Sequence, residues 1–364
     1  MSALRQRRRA IDSDRLPSQR ATWLQQHDGG NVVVFRALHL GDMLCAVPAL
    51  RALRAALPAS RITLVSLPWA EQFASRFPVY IDEFIAFPGD PALPEQAVRQ
   101  HELADFHASV RARHFDIAVQ LHGSGPQSND VVSAFGAQAV AGFGTGTAQD
   151  NEFFLPYPDS GAEPLRLLAL VRQLGAPDCG EHLEFPISDS DERELGSSGL
   201  GAEAMTDKYI CIHPGARVRD KCWAPERFAQ VADTLAAESG LQIVLTGSSA
   251  EAPLTAAVAA HMRSDAIDAA GPISIGAMAA LMSRARLLIS NDTGVSHIAA
   301  GLGLPSVVIF SKADIRRWAP LNERRHRSLW DPEGARVHEV LAHARSLLVD
   351  SWLQPRRHSA RGTQ

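Results

Sequence analysis

Cysteine is scarce in this chain and follows no pattern. The four cysteines, Cys45, Cys179, Cys211 and Cys222, include no Cys-x-x-Cys pair and no regular spacing. That argues against a zinc site and a disulfide framework, and fits a reducing cytoplasm. Long apolar runs are missing too, since none approaches the ~18 residues that a membrane-spanning helix requires. Arg5, Arg7, Arg8 and Arg9 make the first residues basic, but no apolar stretch follows them. Neither a secretory signal nor a membrane span is therefore expected. No charge of one sign dominates: the net charge is −4 and the pI about 6.4, which leaves no electrostatic footprint for nucleic acid. Also absent is a full Gly-x-Gly-x-x-Gly opening a helix after the first strand of a domain. Its partial candidates, Gly123-Ser-Gly125, Gly142-Phe-Gly144-Thr-Gly146, Gly199-Leu-Gly201 and Gly301-Leu-Gly303, stand elsewhere. A nicotinamide-dependent oxidoreductase is accordingly disfavoured.

What is present reads as α/β. The chain has 364 residues, enough for two domains, and 46% of them are hydrophobic, enough for full cores. Residues 31–35 form an apolar, β-branched run expected as a buried strand, and 61–66 form another. Between them Leu44, Val47, Leu50, Leu53 and Leu57 recur at helical spacing. Strands are also expected at 83–87, 116–121 and 140–143. The second half repeats the alternation, with strands at 208–213, 241–245 and 286–290 and helices at 225–237 and 251–262. Such alternation predicts parallel sheets covered on both faces. The expected organisation is a disordered lead over 1–30, a first domain over 31–190, a second over 205–330 and a C-terminal helix over 335–354.

The most informative stretch is 287–310. A short apolar strand gives way to Asn291-Asp292-Thr293-Gly294, a cluster that ends a strand and can cap a helix. Free backbone N–H groups at a helix N-terminus, beside the carboxyl end of a parallel strand, suit a phosphate or diphosphate. Asp292 as a plain cap and His297 as a packing residue fit the same turn. Two α/β domains joined by one linker create a cleft between the carboxyl ends of their strands. His39, Asp42 and His122 from the first half, and His213, Arg217, Lys221, Ser248, Ser249, Asp292, Thr293 and His297 from the second, stand at such ends.

Three motifs among these residues carry a resemblance. Gly41-Asp-Met-Leu-Cys-Ala-Val-Pro-Ala-Leu-Arg-Ala-Leu53 resembles the opening motif of the heptosyltransferases of glycosyltransferase family 9. His213-Pro-Gly-Ala-Arg-Val-Arg-Asp-Lys-Cys-Trp-Ala-Pro-Glu-Arg-Phe228 is similar to that family's donor-binding loop. Asn291-Asp-Thr-Gly-Val-Ser-His297, followed by Leu304-Pro-Ser-Val-Val-Ile-Phe310 and Trp318-Ala-Pro320, completes the pattern, in family order over about residues 31–325.

The resemblance implies a GT-B fold, two Rossmann-like parallel-sheet domains facing across a cleft. It also implies an inverting transferase that moves a heptosyl group from ADP-heptose to a lipopolysaccharide core acceptor, with no metal and no cofactor. In that reading Asp42 is the general base and Lys221 neutralises the leaving diphosphate, with Arg217 or Arg219 assisting. Thr293 and Gly294 face the phosphates, Asp292 contacts sugar hydroxyls or orders the turn, and His297 stands one helical turn on. Ser249 or Glu251 contacts the ribose or adenine. The expected location is the cytoplasm, at the inner face of the inner membrane if the basic arm or acceptor draws it there. Plain alternatives remain for single residues: Asp42 as a helix cap, and Lys221, beside Asp220, in a solvated basic loop. For the whole chain the alternatives are a same-family transferase using another nucleotide sugar or another glycan or protein acceptor, and an inactive glycan-binding module.

Overall fold

The computed structural model describes residues 22–145, 153–200, 209–271 and 273–353, the last four of these by backbone alone. In chain order the first lobe comprises α1 (Trp23–Gln26), β1 (Asn31–Phe35), α2 (Leu40–Cys45), α3 (Val47–Ala56), β2 (Arg61–Ser66) and α4 (Glu71–Arg76). It continues with β3 (Glu83–Ala86), α5 (Leu103–Arg111), β4 (Ile117–Gln120), α6 (Pro126–Ser133), β5 (Ala139–Gly144), β6 (Phe154–Pro156) and α7 (Glu163–Gln173). Its sheet runs in the order β3-β2-β1-β4-β5-β6, parallel throughout. Val32, Val33, Val34 and Phe35 are all fully buried, as expected of a central strand covered by helices on both faces.

After α8 (Asp189–Ser197) the second lobe follows: β7 (Tyr209–His213), α9 (Pro225–Ser239), β8 (Gln242–Leu245), α10 (Ala252–His261), β9 (Ala266–Asp268) and α11 (Ile275–Ser283). Then come β10 (Leu287–Asn291), α12 (Gly294–Leu302), β11 (Ser306–Phe310), α13 (Ile315–Trp318), β12 (His326–Trp330) and α14 (Val337–Leu353). The second sheet runs β12-β11-β10-β7-β8-β9, again parallel. Counted from each lobe's first strand, both sheets have the order 3-2-1-4-5-6 of a doubly wound nucleotide-binding fold. The order reverses beside β1 and β4 in one lobe and beside β7 and β10 in the other. Those are the places where such sheets open a crevice for a ligand.

Three local features differ from the sequence expectations. The single helix expected through Leu44 to Leu57 is two helices joined at Ala46. Pro48 has no N–H to return to Leu44, so the first ladder ends and a second starts. The expected disordered lead is folded at its end: Trp23 and Leu24 are buried, Trp23 stacks on Phe153 at 4.8 Å, and Leu24 N–H donates to the Leu174 carbonyl at 3.2 Å. Residues 1–21 of that lead lie outside the described residues. The interval between the two expected domains, 191–204, holds most of α8, which is started by a capping box between Ser188 and Asp191.

Helix α14 packs Val340, Leu341, Ala344 and Leu347 into the second lobe's core with Ile210, Ile289 and Ile309. A further apolar cluster crosses between lobes. It joins Leu50, Leu53 and Leu168 of the first to Leu281, Leu288 and Ile298 of the second. The cleft therefore sits above a shared core, and its walls are held at a defined spacing.

Candidate active site

The carboxyl ends of β1, β7, β8 and β10 open into one cavity of about 820 Å³ between the lobes. The first lobe supplies His39, Leu40, Gly41, Asp42 and Trp69 to it, and the second supplies everything else. Of the residues singled out in the sequence, Asp42, Arg217, Lys221, Glu251, Asp292, Thr293, Gly294 and His297 all line it. Ser249 does not; its neighbours Ser248 and Ala250 do.

Asp42 lies in the first turn of α2, half buried. The N-cap of that helix is His39, and no side chain caps it. Among the described residues none hydrogen-bonds the Asp42 carboxylate, so the capping alternative is not met and both carboxylate oxygens are free to act. Gly41 lets α2 come this close to α12. A Cβ there would stand 2.8 Å from His297 Cδ2, and a Cβ on Gly294 would stand 3.2 Å from Leu40 Cδ2. Two helix N-termini thus meet at the cleft floor with glycine on each side, bringing two positive dipole ends to one place.

In the second lobe the loop after β7 tightens into a 3-10 turn over Arg219–Lys221. Asp220 and Lys221 point apart. Asp220 pairs with Lys312 at 3.0 Å on the exposed side, whereas Lys221 Nζ turns inward to Asp292 Oδ2 at 3.1 Å. A solvated basic loop does not describe Lys221. Arg217 and Arg219 line the cavity exposed, and among the described residues neither has an ion-pair partner. Arg217 is close enough that its charge, after burial itself, lowers the pKa of His39 across the cleft.

The turn after β10 is organised by Asn291, which is fully buried. Its Oδ1 accepts from Trp223 N–H at 2.9 Å and its Nδ2 donates to the Pro214 carbonyl at 2.7 Å, so one amide ties both ends of the loop after β7 to the turn after β10. Thr293 is the N-cap of α12 but its hydroxyl makes no capping bond; instead its carbonyl accepts from Ser296 N–H at 3.0 Å and from Ser296 Oγ at 2.7 Å. Among the described residues the Thr293 hydroxyl and the N–H groups of Gly294 and Val295, all three residues lining the cavity, have no hydrogen-bond partner. His297 is buried, with Nδ1 3.8 Å from Cys45 Sγ and its ring edge-on to Trp318 at 6.4 Å. Burial lowers its pKa, although Asp292 and Asp42 pull the other way. It is therefore a neutral ring with hydrogen-bonding capacity and no standing charge.

Glu251 is placed by a capping box: its Oε2 accepts from Ser248 N–H and Ser248 Oγ, both at 2.8 Å. Oε1 stands 3.8 Å from buried His213 Nε2. A Cβ on Gly215 would land on the Glu251 carboxylate, so glycine there keeps the acid in the cavity. Beyond it Leu254, Ile273, Ile275 and Met278 make an apolar corner that the sequence reading did not single out. Leu254 sits on α10, Ile273 in a loop, and Ile275 and Met278 on α11, so no single periodic stretch marks the four as a group. Among the described residues no three His, Cys, Asp or Glu side chains converge as a metal ligand set.

Two Rossmann-ordered lobes with residues of both facing one cleft define a GT-B architecture. A solved structure of ADP-heptose lps heptosyltransferase II from E. coli superposes with a TM-score of 0.71, covering 88% of this chain and 99% of that one at 20% identity. The model of glycosyltransferase family 9 (heptosyltransferase) matches residues 103–339, and the chain belongs to that family. Lipopolysaccharide heptosyltransferase 3 of Escherichia coli is 32% identical over 131 residues, which span 35% of this chain and only 37% of that relative. Lipopolysaccharide heptosyltransferase 2 of E. coli K12 is 25% identical over 310 residues, 80% of this chain and 86% of that relative.

Proposed function

We propose that this chain is an inverting, metal-independent transferase that moves a heptosyl group from ADP-heptose to a lipopolysaccharide core acceptor. The observation that carries the reading is the composition of the cavity: a carboxylate with no hydrogen-bond partner among the described residues, Asp42, on one wall, and a cation, Lys221, with the N-terminus of α12 on the other. The solved E. coli relative is named for ADP-heptose and lipopolysaccharide.

In this reading the adenine enters the apolar corner of Leu254, Ile273, Ile275 and Met278, and the free oxygen of Glu251 accepts from a ribose hydroxyl. The diphosphate lies over the N-terminus of α12, against Thr293, Gly294 and Lys221, with Arg217 and Arg219 closing over it. Asp292 accepts from heptose hydroxyls once Lys221 shifts its charge toward phosphate. The acceptor hydroxyl gives its proton to the Asp42 carboxylate as its oxygen bonds the anomeric carbon. The bond from that carbon to the diphosphate breaks on the opposite face, its electron pair leaves with ADP, and configuration inverts. Paired cations and helix amides supply the charge stabilisation such a departure needs. The acceptor is lipid-anchored in this scheme, which sets the reaction at the cytoplasmic face of the inner membrane. Among the described residues no helix is long and apolar enough to cross a membrane.

The test is a thermal-stabilisation screen of ADP-, UDP- and GDP-linked sugars and NAD, with EDTA present. A ligand at about a hundred times its Kd adds roughly 2.7 kcal/mol. ADP-heptose is expected to raise the melting temperature and to be consumed when a core acceptor is added. Stabilisation by NAD or by UDP- or GDP-sugars alone, or turnover abolished by EDTA, contradicts the proposal.

A further inference from the structure

Behind Asp42 a buried ionic chain runs from one lobe into the other. Arg36, just past β1, is 1% exposed. Its Nε donates to the Asp42 carbonyl at 3.0 Å, its Nη1 donates to the Leu121 carbonyl, and its Nη2 donates to Glu163 Oε1 at 3.1 Å. Glu163 opens α7 and is itself buried; its Oε2 accepts from Arg317 Nε at 2.9 Å. Arg317 belongs to α13 of the donor lobe. Its Nη2 donates to Tyr157 OH at 2.7 Å, and its guanidinium lies 4.8 Å from the ring of Trp318, which lines the cavity.

A buried guanidinium requires a counter-charge, and Glu163 supplies it for Arg36. Burial alone would raise the Glu163 pKa, but the flanking charges of Arg36 and Arg317 hold it below the usual range. Local packing needs only the first two members of this chain. The third comes from the other lobe, and the first grips the backbone of the residue proposed as base. The remaining face of α2 rests on donor-lobe groups as well, through the close approach of Gly41 to His297 and Gly294. Asp42 is thus fixed from behind by Arg36 and from the side by the donor lobe, with Glu163 joining the two supports.

We infer that Arg36 and Glu163 are positioning residues for Asp42, and that Arg317 sets them from the donor lobe, so that the base is held in register only while the lobes are together. The catalytic half of this inference rests on Asp42 being the base; the mechanical half does not.

The experiment compares wild type with Arg317→Gln, Arg317→Lys and Glu163→Gln in amide hydrogen exchange and in steady-state transfer. Arg317 is partly exposed, so its variants carry the test if Glu163→Gln does not fold. In Arg317→Gln, exchange across Leu40–Cys45 is expected to rise severalfold although the change lies in the other lobe. The same variant is expected to lose kcat about tenfold or more while ADP affinity stays within about twofold. Arg317→Lys, which keeps the charge without the two-pronged guanidinium, is expected to fall between. Unchanged exchange across Leu40–Cys45, unchanged kcat, or an ADP affinity that falls as far as kcat overturns the inference. If the wild type transfers no sugar, the transferase reading fails, and the exchange comparison still decides the coupling.

Discussion

Lys221 Nζ and Asp292 Oδ2 stand 3.1 Å apart, joining the loop after β7 to the loop after β10 across the donor wall of the cleft. The pair resolves a difficulty in the sequence, where an aspartate beside a phosphate site looks repulsive. With Lys221 against it the Asp292 carboxylate has a counter-charge at 3.1 Å, and the lysine is held at the mouth of the helix that would receive the diphosphate.

Removing the lysine therefore has two costs. Lys221→Ala deletes the proposed diphosphate contact and leaves Asp292, with a side chain 9% exposed, without its lysine. ADP affinity is expected to fall about tenfold or more, or roughly 1.4 kcal/mol per decade. The double variant Lys221→Ala/Asp292→Asn is expected to recover part of that loss, because the stranded charge is gone. Calorimetric titration with ADP is the check, and an unchanged affinity for Lys221→Ala would remove the residue from the diphosphate site.

Gly41→Ala tests the meeting of the two helix ends. The added methyl would lie 2.8 Å from His297 Cδ2, so either that buried ring, set between Cys45 and Trp318, or α2 itself must shift. A loss of about 1–3 kcal/mol in unfolding free energy is expected from such overpacking, together with reduced turnover. A variant with wild-type urea midpoint and wild-type activity would show that the lobes do not approach this closely in solution.

Much of this site was legible in the sequence because its residues follow strand ends. Val32 to Phe35 announce a buried strand, and whatever follows such a strand in a doubly wound sheet faces the crevice. Asp42, Lys221 and Asp292–Gly294 could be placed on that rule before any contact was known. Of the edge strands only β3 was legible, expected at 83–87 and found at Glu83–Ala86. β6 and β9 are three residues each, and β12, His326-Arg327-Ser328-Leu329-Trp330, has neither an apolar run nor alternation. Partners distant in sequence were hidden for a different reason. Asp220 finds Lys312 only after the second lobe folds and Glu163 finds Arg317 only after both lobes do, whereas adjacency in sequence left Lys221, beside Asp220, open to a solvated basic loop. Glu163 sits in an ordinary amphipathic helix with nothing local to set it apart.

Stability is expected to fall with acidification below neutrality. Burial, aided by nearby arginine charge, lowers His122 and His326 to about 4 from an ordinary value of 6.5. Between those values the unfolded chain binds protons that the folded chain does not, so folding weakens as pH falls. The contribution is fully present above about 6.5 and is lost progressively down to about 4. Each histidine accounts for on the order of 3 kcal/mol over that window. Urea unfolding at about pH 7.5 and about pH 4.5 measures it. His326→Gln, which keeps a polar partner for the Ser306 hydroxyl, is expected to flatten the dependence. Equal stability at both values in the wild type would show that these rings protonate freely in the fold.

The most direct measurement is heptosyl transfer from ADP-heptose to a core acceptor by wild type and Asp42→Asn, with donor affinity determined on the same preparations. Wild type is expected to turn over, and Asp42→Asn to lose about a hundredfold or more in kcat while binding ADP-heptose as before. Near-wild-type turnover by Asp42→Asn would contradict the role of Asp42 as base, and with it the proposal that the two walls of this cleft divide the chemistry between them.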